Sequence, residues 1–376
     1  MLSWIEIDAE RLCANIDAFR NLLAPTTTLM VIVKANAYGH GLQAVATLIA
    51  ERADWLGVNS VDEALEMTRL GVQKPIAILG HTDLAQIEDV VHYGYRQVLY
   101  RLDVAKALSE SAVKLATTSK AHLKIETGTN RQGVAPSELE AFAGALRKLP
   151  RLEIEGVYTH FANIEDTLDP SFARSQSRRF QEALSTLARA GIIPRHVHAM
   201  ATAGALLYPE LSFTMARVGI GAYGVWPSRE TQLAARERGR LIALAPTLTW
   251  KTRVVQVKEV NVGDYVGYGL TYQATRPMRL AVLPVGYYDG YDRKLSNSGR
   301  ALIHSQPVPI IGRIAMNMTM LDVTDVGAQI DDEVVLLGRQ EKAEIRVEEL
   351  AERIGTIPYE VLARLNPLIP RILIES

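Results

Sequence analysis

Val31-Ile32-Val33-Lys34-Ala35-Asn36-Ala37-Tyr38-Gly39-His40-Gly41 is the stretch whose reading decides the fold. A β-branched run ends in Lys34, and a glycine-punctuated loop then leads into an apolar helical stretch. A (β/α) barrel places a reactive amine this way, at the carboxyl end of a strand, where such barrels build their sites. A lysine amine can form a Schiff base with an aldehyde cofactor, and pyridoxal 5'-phosphate is the commonest such partner. Taken alone the run also fits a surface lysine at a strand end, so the rest of the chain has to decide.

Outward from that run, strand and helix patterns alternate from about residue 29 to 220. Apolar strand candidates cover 29–34, 55–59, 76–79, 97–100, 122–126, 154–160, 196–200 and 214–218. Helical stretches lie between them, as at 61–70, 104–115, 137–149 and 172–190. Ser60 before Val-Asp-Glu and Pro136-Ser-Glu are helix starts. Eight strands, each followed by a helix or a short turn, predict an α/β chain built on a (β/α)₈ TIM barrel. After about residue 240 the pattern changes to strands at 248–257, 279–285, 301–304, 309–311, 320–323 and 333–337, joined by Gly, Pro, Asn and Asp turns. Short helices near 347–354 and 359–365 precede a last strand, 371–374. The expected domains are a barrel over 1–238 and a C-terminal, mainly β domain over 239–376, with 232–241 as the junction. The first few residues are candidates for the β domain.

Composition narrows the class. The 376 residues are 48% hydrophobic and 22% charged, as in ordinary soluble proteins with more than one core. A net charge of -1 and the lack of a polybasic run argue against nucleic acid. No apolar stretch is long enough to span a bilayer, and the acidic, alternating start does not resemble a signal peptide. One cysteine, Cys13, precludes an internal disulfide and a thiolate metal cluster. The expected home is the cytoplasm.

If the barrel holds, the polar residues to explain should sit at carboxyl ends of strands. Lys34 ends the first, Arg131 lies in the loop after the fifth, and His160 ends the sixth. Thr202 follows the seventh and Arg217 ends the eighth. Each alone has a bland reading: a loop arginine, a satisfied core histidine, an ion-pair residue. Five converging on one rim favour a site. The run Arg217-Val-Gly219-Ile220-Gly221-Ala-Tyr-Gly224 formally contains G-x-G-x-x-G, but Val225-Trp-Pro227 follows where a dinucleotide site needs a helix. Glycine amides after the eighth strand suit a phosphate ester instead.

Through these residues, nearly the whole chain resembles the alanine racemase family. The resemblance implies that Lys34 binds pyridoxal 5'-phosphate and that Tyr38, Thr202, Gly219 and Ile220 hold its phosphate. It implies Arg131 at the cofactor's phenolic oxygen and the substrate carboxylate, His160 against the cofactor ring, and Arg217 at the pyridine nitrogen. In the β domain, Val266-Gly-Tyr268-Gly matches the second catalytic base, and Gly312-Arg-Ile-Ala-Met316 the segment whose methionine amide holds the substrate carboxylate. Lys124 matches a lysine that many members carbamylate. No metal is implied. Three positions depart from the common pattern: Ala201-Thr202 stands for Asn-Ser, Asn317 for Asp, and Pro367 for a phosphate-contacting tyrosine.

The activity implied is a two-base interconversion of L- and D-alanine that supplies D-alanine for the bacterial cell wall. Each face of a planar intermediate needs a base that can return the proton. Lys34 serves one face. A phenol, by resemblance Tyr268 reaching into a partner's barrel, serves the other, so the implied unit is a head-to-tail homodimer. An arginine at the pyridine nitrogen leaves it without its own proton and makes a weaker electron sink. Related decarboxylases use a carboxylate there and a β-domain cysteine, and Cys13 lies far from that domain. Pro367 and Asn317 keep open a serine or broad-specificity racemase. A non-catalytic pyridoxal phosphate carrier would not need Tyr268 or Met316. His196 and His198 alternate on one strand without the further ligands a metal site requires.

Overall fold

A computed structural model describes residues 1–211 and 213–375. The chain forms two compact units: Leu12–Ala35 with Ala46–Ala245, and Met1–Arg11 with Asn36–Val45 and Pro246–Ser376.

The first unit is the expected barrel. Its strands are Thr28–Ile32, Trp55–Val58, Ile76–Ile78, Arg96–Leu99, Ser119–Lys124, Leu152–Tyr158, His196–His198 and Met215–Val218. All ladder pairs are parallel and follow chain order, and the eighth strand pairs with the first. Between the seventh and eighth, Thr214 N–H donates to Val197 O at 3.0 Å and Arg217 N–H to Met200 O at 3.2 Å. Strands covered on both faces read as short apolar runs, which is why Val31, Ile32 and Val33 are all buried. The helices outside bury one stripe. In Val61–Arg69 that stripe is Val61, Ala64 and Met67, and Ser60 caps the helix by accepting from Glu63 N–H at 3.3 Å.

The connection after the first strand is not a plain loop. Lys34–Tyr38 is one helical turn in which Ala35, Asn36, Ala37 and Tyr38 have φ between 53° and 55°, so the turn is left-handed. Gly39 and Gly41 continue with positive φ before the right-handed helix Leu42–Arg52. Arg229–Glu237 is a helix that buries Ala234 and Ala235 and occupies the start of the stretch expected as a junction.

In the second unit, one sheet runs Gln306–Pro309, Arg300–Ile303, Glu333–Gln340, Leu248–Arg253, Ser3–Asp8, Arg371–Ile374, with Ala343–Ile345 beside Glu333–Gln340. A smaller sheet holds Gln256–Val260, Met278–Leu283 and Thr319–Asp322. The single strand expected over 248–257 is therefore two. Val254 N–H donates to Asp332 O and Val255 N–H to Val282 O, so the chain changes sheets between neighbouring residues. Apolar periodicity continues across that corner and does not mark it. Val260, Val266, Ala274, Met278, Leu280 and Ile311 form a core around the small sheet.

Candidate active site

Burial and hydrogen bonding converge at the carboxyl ends of the barrel strands. Burial lowers the proton affinity of the Lys34 amine, Arg131 lowers it further, Glu63 works the other way and Arg217 adds to the lowering. Lys124, on the fifth strand, is buried and lowered to about 8 by desolvation and then by Arg131 and Arg217. Its Nζ donates to Gln132 Oε1 at 3.3 Å and lies 5.4 Å from the centre of the Tyr158 ring. The loop carrying Arg131 is wrapped around Glu126, whose carboxylate accepts from the N–H of Gly128 at 2.5 Å and of Arg131 at 3.3 Å. Burial acts to raise that carboxyl, but the N–H groups of Asn130, Gly128, Arg131 and Thr129 hold it below its ordinary range.

Arg217 is buried, with 5% of its surface exposed. Nη2 donates to Thr159 O and Ala199 O, both at 3.0 Å, and to His160 Nδ1 at 3.3 Å. Nη1 donates to His198 Nδ1 at 2.5 Å. Every one of these acceptors is neutral. Burial lowers the guanidinium to about 10, so it stays charged at neutral pH. Its positive charge fixes the histidines around it. His198 Nδ1 must accept, so Nε2 carries the hydrogen and donates to His122 Nδ1 at 2.9 Å. Desolvation followed by Arg217 keeps His198 well below its ordinary range, and desolvation holds His122 at about 3. His160 is held at about 3 by desolvation, then by Arg217 and Arg131. Tyr158 stacks on His198 at 4.8 Å, and its ring lies 5.0 Å from the Arg217 guanidinium carbon.

Beside this, the Thr202 hydroxyl accepts from Gly219 N–H at 3.1 Å and Gly221 N–H at 3.4 Å. Its own hydrogen remains free to be donated. Gly219 precedes the 3₁₀ turn Ile220–Tyr223, whose first N–H groups have no partner within the turn. A Cβ on Gly221 would sit 2.5 Å from Phe19 and 2.6 Å from the Thr202 methyl. Lys34, Lys124, Arg131 and Arg217 thus bring four cations to one rim with few carboxylates, an arrangement that suits an anionic ligand.

The remaining expected residues lie in the other unit. Tyr38, the last residue of the left-handed turn, has its phenol pushed up to about 12 by burial and lies 6.2 Å from the Tyr359 ring. Tyr268 is 73% exposed, between Gly267 and Gly269, both at positive φ. Their φ values of 74° and 73° are strained for any residue with a Cβ, so the Gly-Tyr-Gly context is a backbone requirement. Met316 is also exposed, and Gly286 packs under its loop: a Cβ there would lie 2.2 Å from Ala315 O. Asn317 is exposed in a bend and Pro367 in a turn. Among the described residues no cluster of His, Cys, Asp or Glu could hold a metal, and no helix is long and apolar enough to cross a membrane.

Sequence reasoning missed Glu63, Glu126, His122 and the part of His198 as Arg217's acceptor. The inward alternation of His196-Val-His198 was the available signal for the last.

Residues 7–227 match the family model for the alanine racemase N-terminal domain, and 247–373 the model for its C-terminal domain. A protein of Symbiobacterium thermophilum named alanine racemase is 39% identical over 371 residues, covering 98% of this chain and 96% of its own. A crystal structure of alanine racemase from Bacillus anthracis with bound L-Ala-P superposes with a TM-score of 0.92 at 31% identity, covering 100% of this chain and 95% of that one. Alanine racemase from Bartonella henselae with covalently bound pyridoxal phosphate gives 0.86 at 26%, covering 100% of both chains.

Proposed function

The chain belongs to the alanine racemase family, and from that premise we propose that it is a pyridoxal 5'-phosphate-dependent isomerase interconverting L- and D-alanine. The observation that carries most weight is Arg217, a buried cation whose acceptors are all neutral, on the same rim as the depressed Lys34 amine. The rim fits the cofactor. Lys34 would hold it covalently. The Thr202 hydroxyl and the amides of Gly219 and Ile220 would hold its phosphate, with Tyr38 as a further phosphate contact. His160 would lie against its ring, and Arg217 would donate to its ring nitrogen. When bound, the cofactor supplies an electron-withdrawing system that makes the α-hydrogen of an amino acid acidic.

The protein's own groups do the rest. Arg131 and the Met316 amide bind the substrate carboxylate. The Lys34 amine, its proton affinity lowered by burial and by Arg131, takes or returns the α-proton on one face. Arg217 stays protonated, so the N–H it would donate to the cofactor's ring nitrogen would leave that nitrogen without a proton of its own and would limit competing chemistry. The phenol of Tyr268 serves the opposite face from a second copy of the chain, making the unit a cytoplasmic homodimer. The exposure of Tyr265, Tyr268, Tyr287, Tyr288, Met316 and Met318 supports that arrangement. Their loops adjoin, Tyr288 N–H donating to Met316 O at 3.0 Å. An apolar face of this kind is costly to leave in water.

Borohydride reduction of the cofactor-loaded protein, followed by peptide mapping, tests the assignment. The reduced cofactor should be found on Lys34, and recovery on any other lysine would overturn it.

A further inference from the structure

The left-handed turn after Lys34 begins at Ala35, and the N–H of Ala35 is held from outside the turn. Glu63 Oε1 accepts it at 2.7 Å, while Oε2 of the same carboxylate accepts Asn59 N–H, also at 2.7 Å. Ala35 and Asn59 stand just past the first and second barrel strands. Glu63 sits three residues after the cap Ser60 on the helix Val61–Arg69. In an ordinary capping box, a glutamate at that position accepts the cap residue's own N–H. Here both oxygens go elsewhere. Helix capping therefore does not account for this side chain.

We propose that Glu63 is a positioning residue for Lys34, tying the backbone from which the amine projects to the end of the neighbouring strand. This rests on the reading of Lys34 as the cofactor lysine. A non-glycine residue in the left-handed region is unfavourable by about 1–2 kcal/mol, so Ala35 needs a partner that makes this conformation preferable to a relaxed one. A carboxylate accepting a backbone N–H is among the stronger such partners. The same carboxylate also acts on the amine. Lys34 experiences Arg131 from the loop after the fifth strand, Arg217 from the eighth strand, and Glu63 from the helix after the second. Lys124, Glu126, Tyr158 and His160 are further titratable groups on the rim. Of the charges that act on Lys34, Glu63 is the one that favours the protonated amine.

The test uses the full-length apoprotein and two variants that separate charge from reach. Glu63→Gln removes the charge and one of the two acceptors. Glu63→Asp keeps the charge but is one methylene too short to span both amides. The rate of Lys34 acetylation by acetic anhydride, read by peptide mapping across pH, reports the amine. Pyridoxal 5'-phosphate affinity reports the backbone. Glu63→Gln should move the acetylation midpoint down by roughly half a pH unit or more, a threefold change in neutral amine, and weaken cofactor binding about tenfold. Glu63→Asp should leave the midpoint in place and still weaken binding. A merely structural glutamate would lower the melting temperature of both variants and move neither the midpoint nor the affinity, and that result would overturn the proposal. Failure of the cofactor assignment is distinguishable, because it would place the borohydride-fixed group on another lysine in the unaltered protein.

Discussion

A guanidinium enclosed by neutral acceptors makes its neighbours pay attention to pH. Arg217 repels a second positive charge from His198 and His160, and His122 is enclosed behind His198. All three are held neutral in the fold by burial first, His122 and His160 at about 3. An unfolded histidine titrates near 6.5, so between that pH and the folded value the unfolded chain binds more protons. Stability should therefore be unaffected by these groups above pH 6.5 and fall as pH drops below it. Urea denaturation at pH 7 and pH 5 should register the loss. His122→Gln, which keeps an acceptor for His198 but cannot titrate, should flatten the slope by on the order of 1 kcal/mol per pH unit. An unchanged slope would mean that His122 is protonated in the fold. Lys34, Arg131, His160 and Arg217 were legible because each lies at or just beyond a strand end. Glu63 and Glu126 were not, since an acidic residue in a helix's first turn or a loop has ordinary explanations, and only the folded chain shows which N–H groups it faces.

At the scale of elements, the eight barrel strands and most helices could be read from apolar runs and caps, because each is specified by its own residues. The left-handed turn could not. Asn36 tolerates φ near 54°, but Ala35, Ala37 and Tyr38 have no local preference for φ of 53° to 55°, and three such residues cost about 3–6 kcal/mol against a relaxed chain. Local side chains and one partner distant in sequence, Arg371, hold it. Asn36 Oδ1 accepts Leu42 N–H at 2.7 Å, His40 Nδ1 lies 3.1 Å from Ala37 O, and Arg371 donates twice to Gly39 O, at 3.0 and 3.2 Å. Gly39 has φ 79° and a backbone so close to Leu362 that a Cβ would lie 2.0 Å from its carbonyl oxygen. Gly39→Ala should cost about 2–4 kcal/mol, from the backbone conformation and the clash together, and should weaken cofactor retention. Equilibrium unfolding and the cofactor content after dialysis would measure both. A variant of unaltered stability would show that the turn can relax.

For the whole molecule, the proposed sharing of sites between copies predicts an outcome that no single variant can give. Lys34→Ala and Tyr268→Phe should each abolish most racemisation, a positioned acid–base group being worth about 10²–10⁴-fold. Mixed, dissociated and reassociated, the two should recover activity at about a quarter of the sites, those pairing an intact Lys34 with an intact Tyr268 from the other copy. If Tyr268 served its own barrel, mixing would restore nothing.

The β unit carries a different kind of consequence, one of timing. Ser3–Asp8 lies between Leu248–Arg253 and Arg371–Ile374, hydrogen-bonded to both. A ribosome adds roughly 5–20 residues per second, so this strand waits on the order of tens of seconds for neighbours that lie about 240 and 360 residues downstream. Throughout that interval Trp4, Ile5 and Ile7, all buried once the sheet closes, lack the two strands that flank them. Translation speed and chaperone supply, neither of which alters a single contact in the finished protein, should therefore govern how much of it is recovered from a cell.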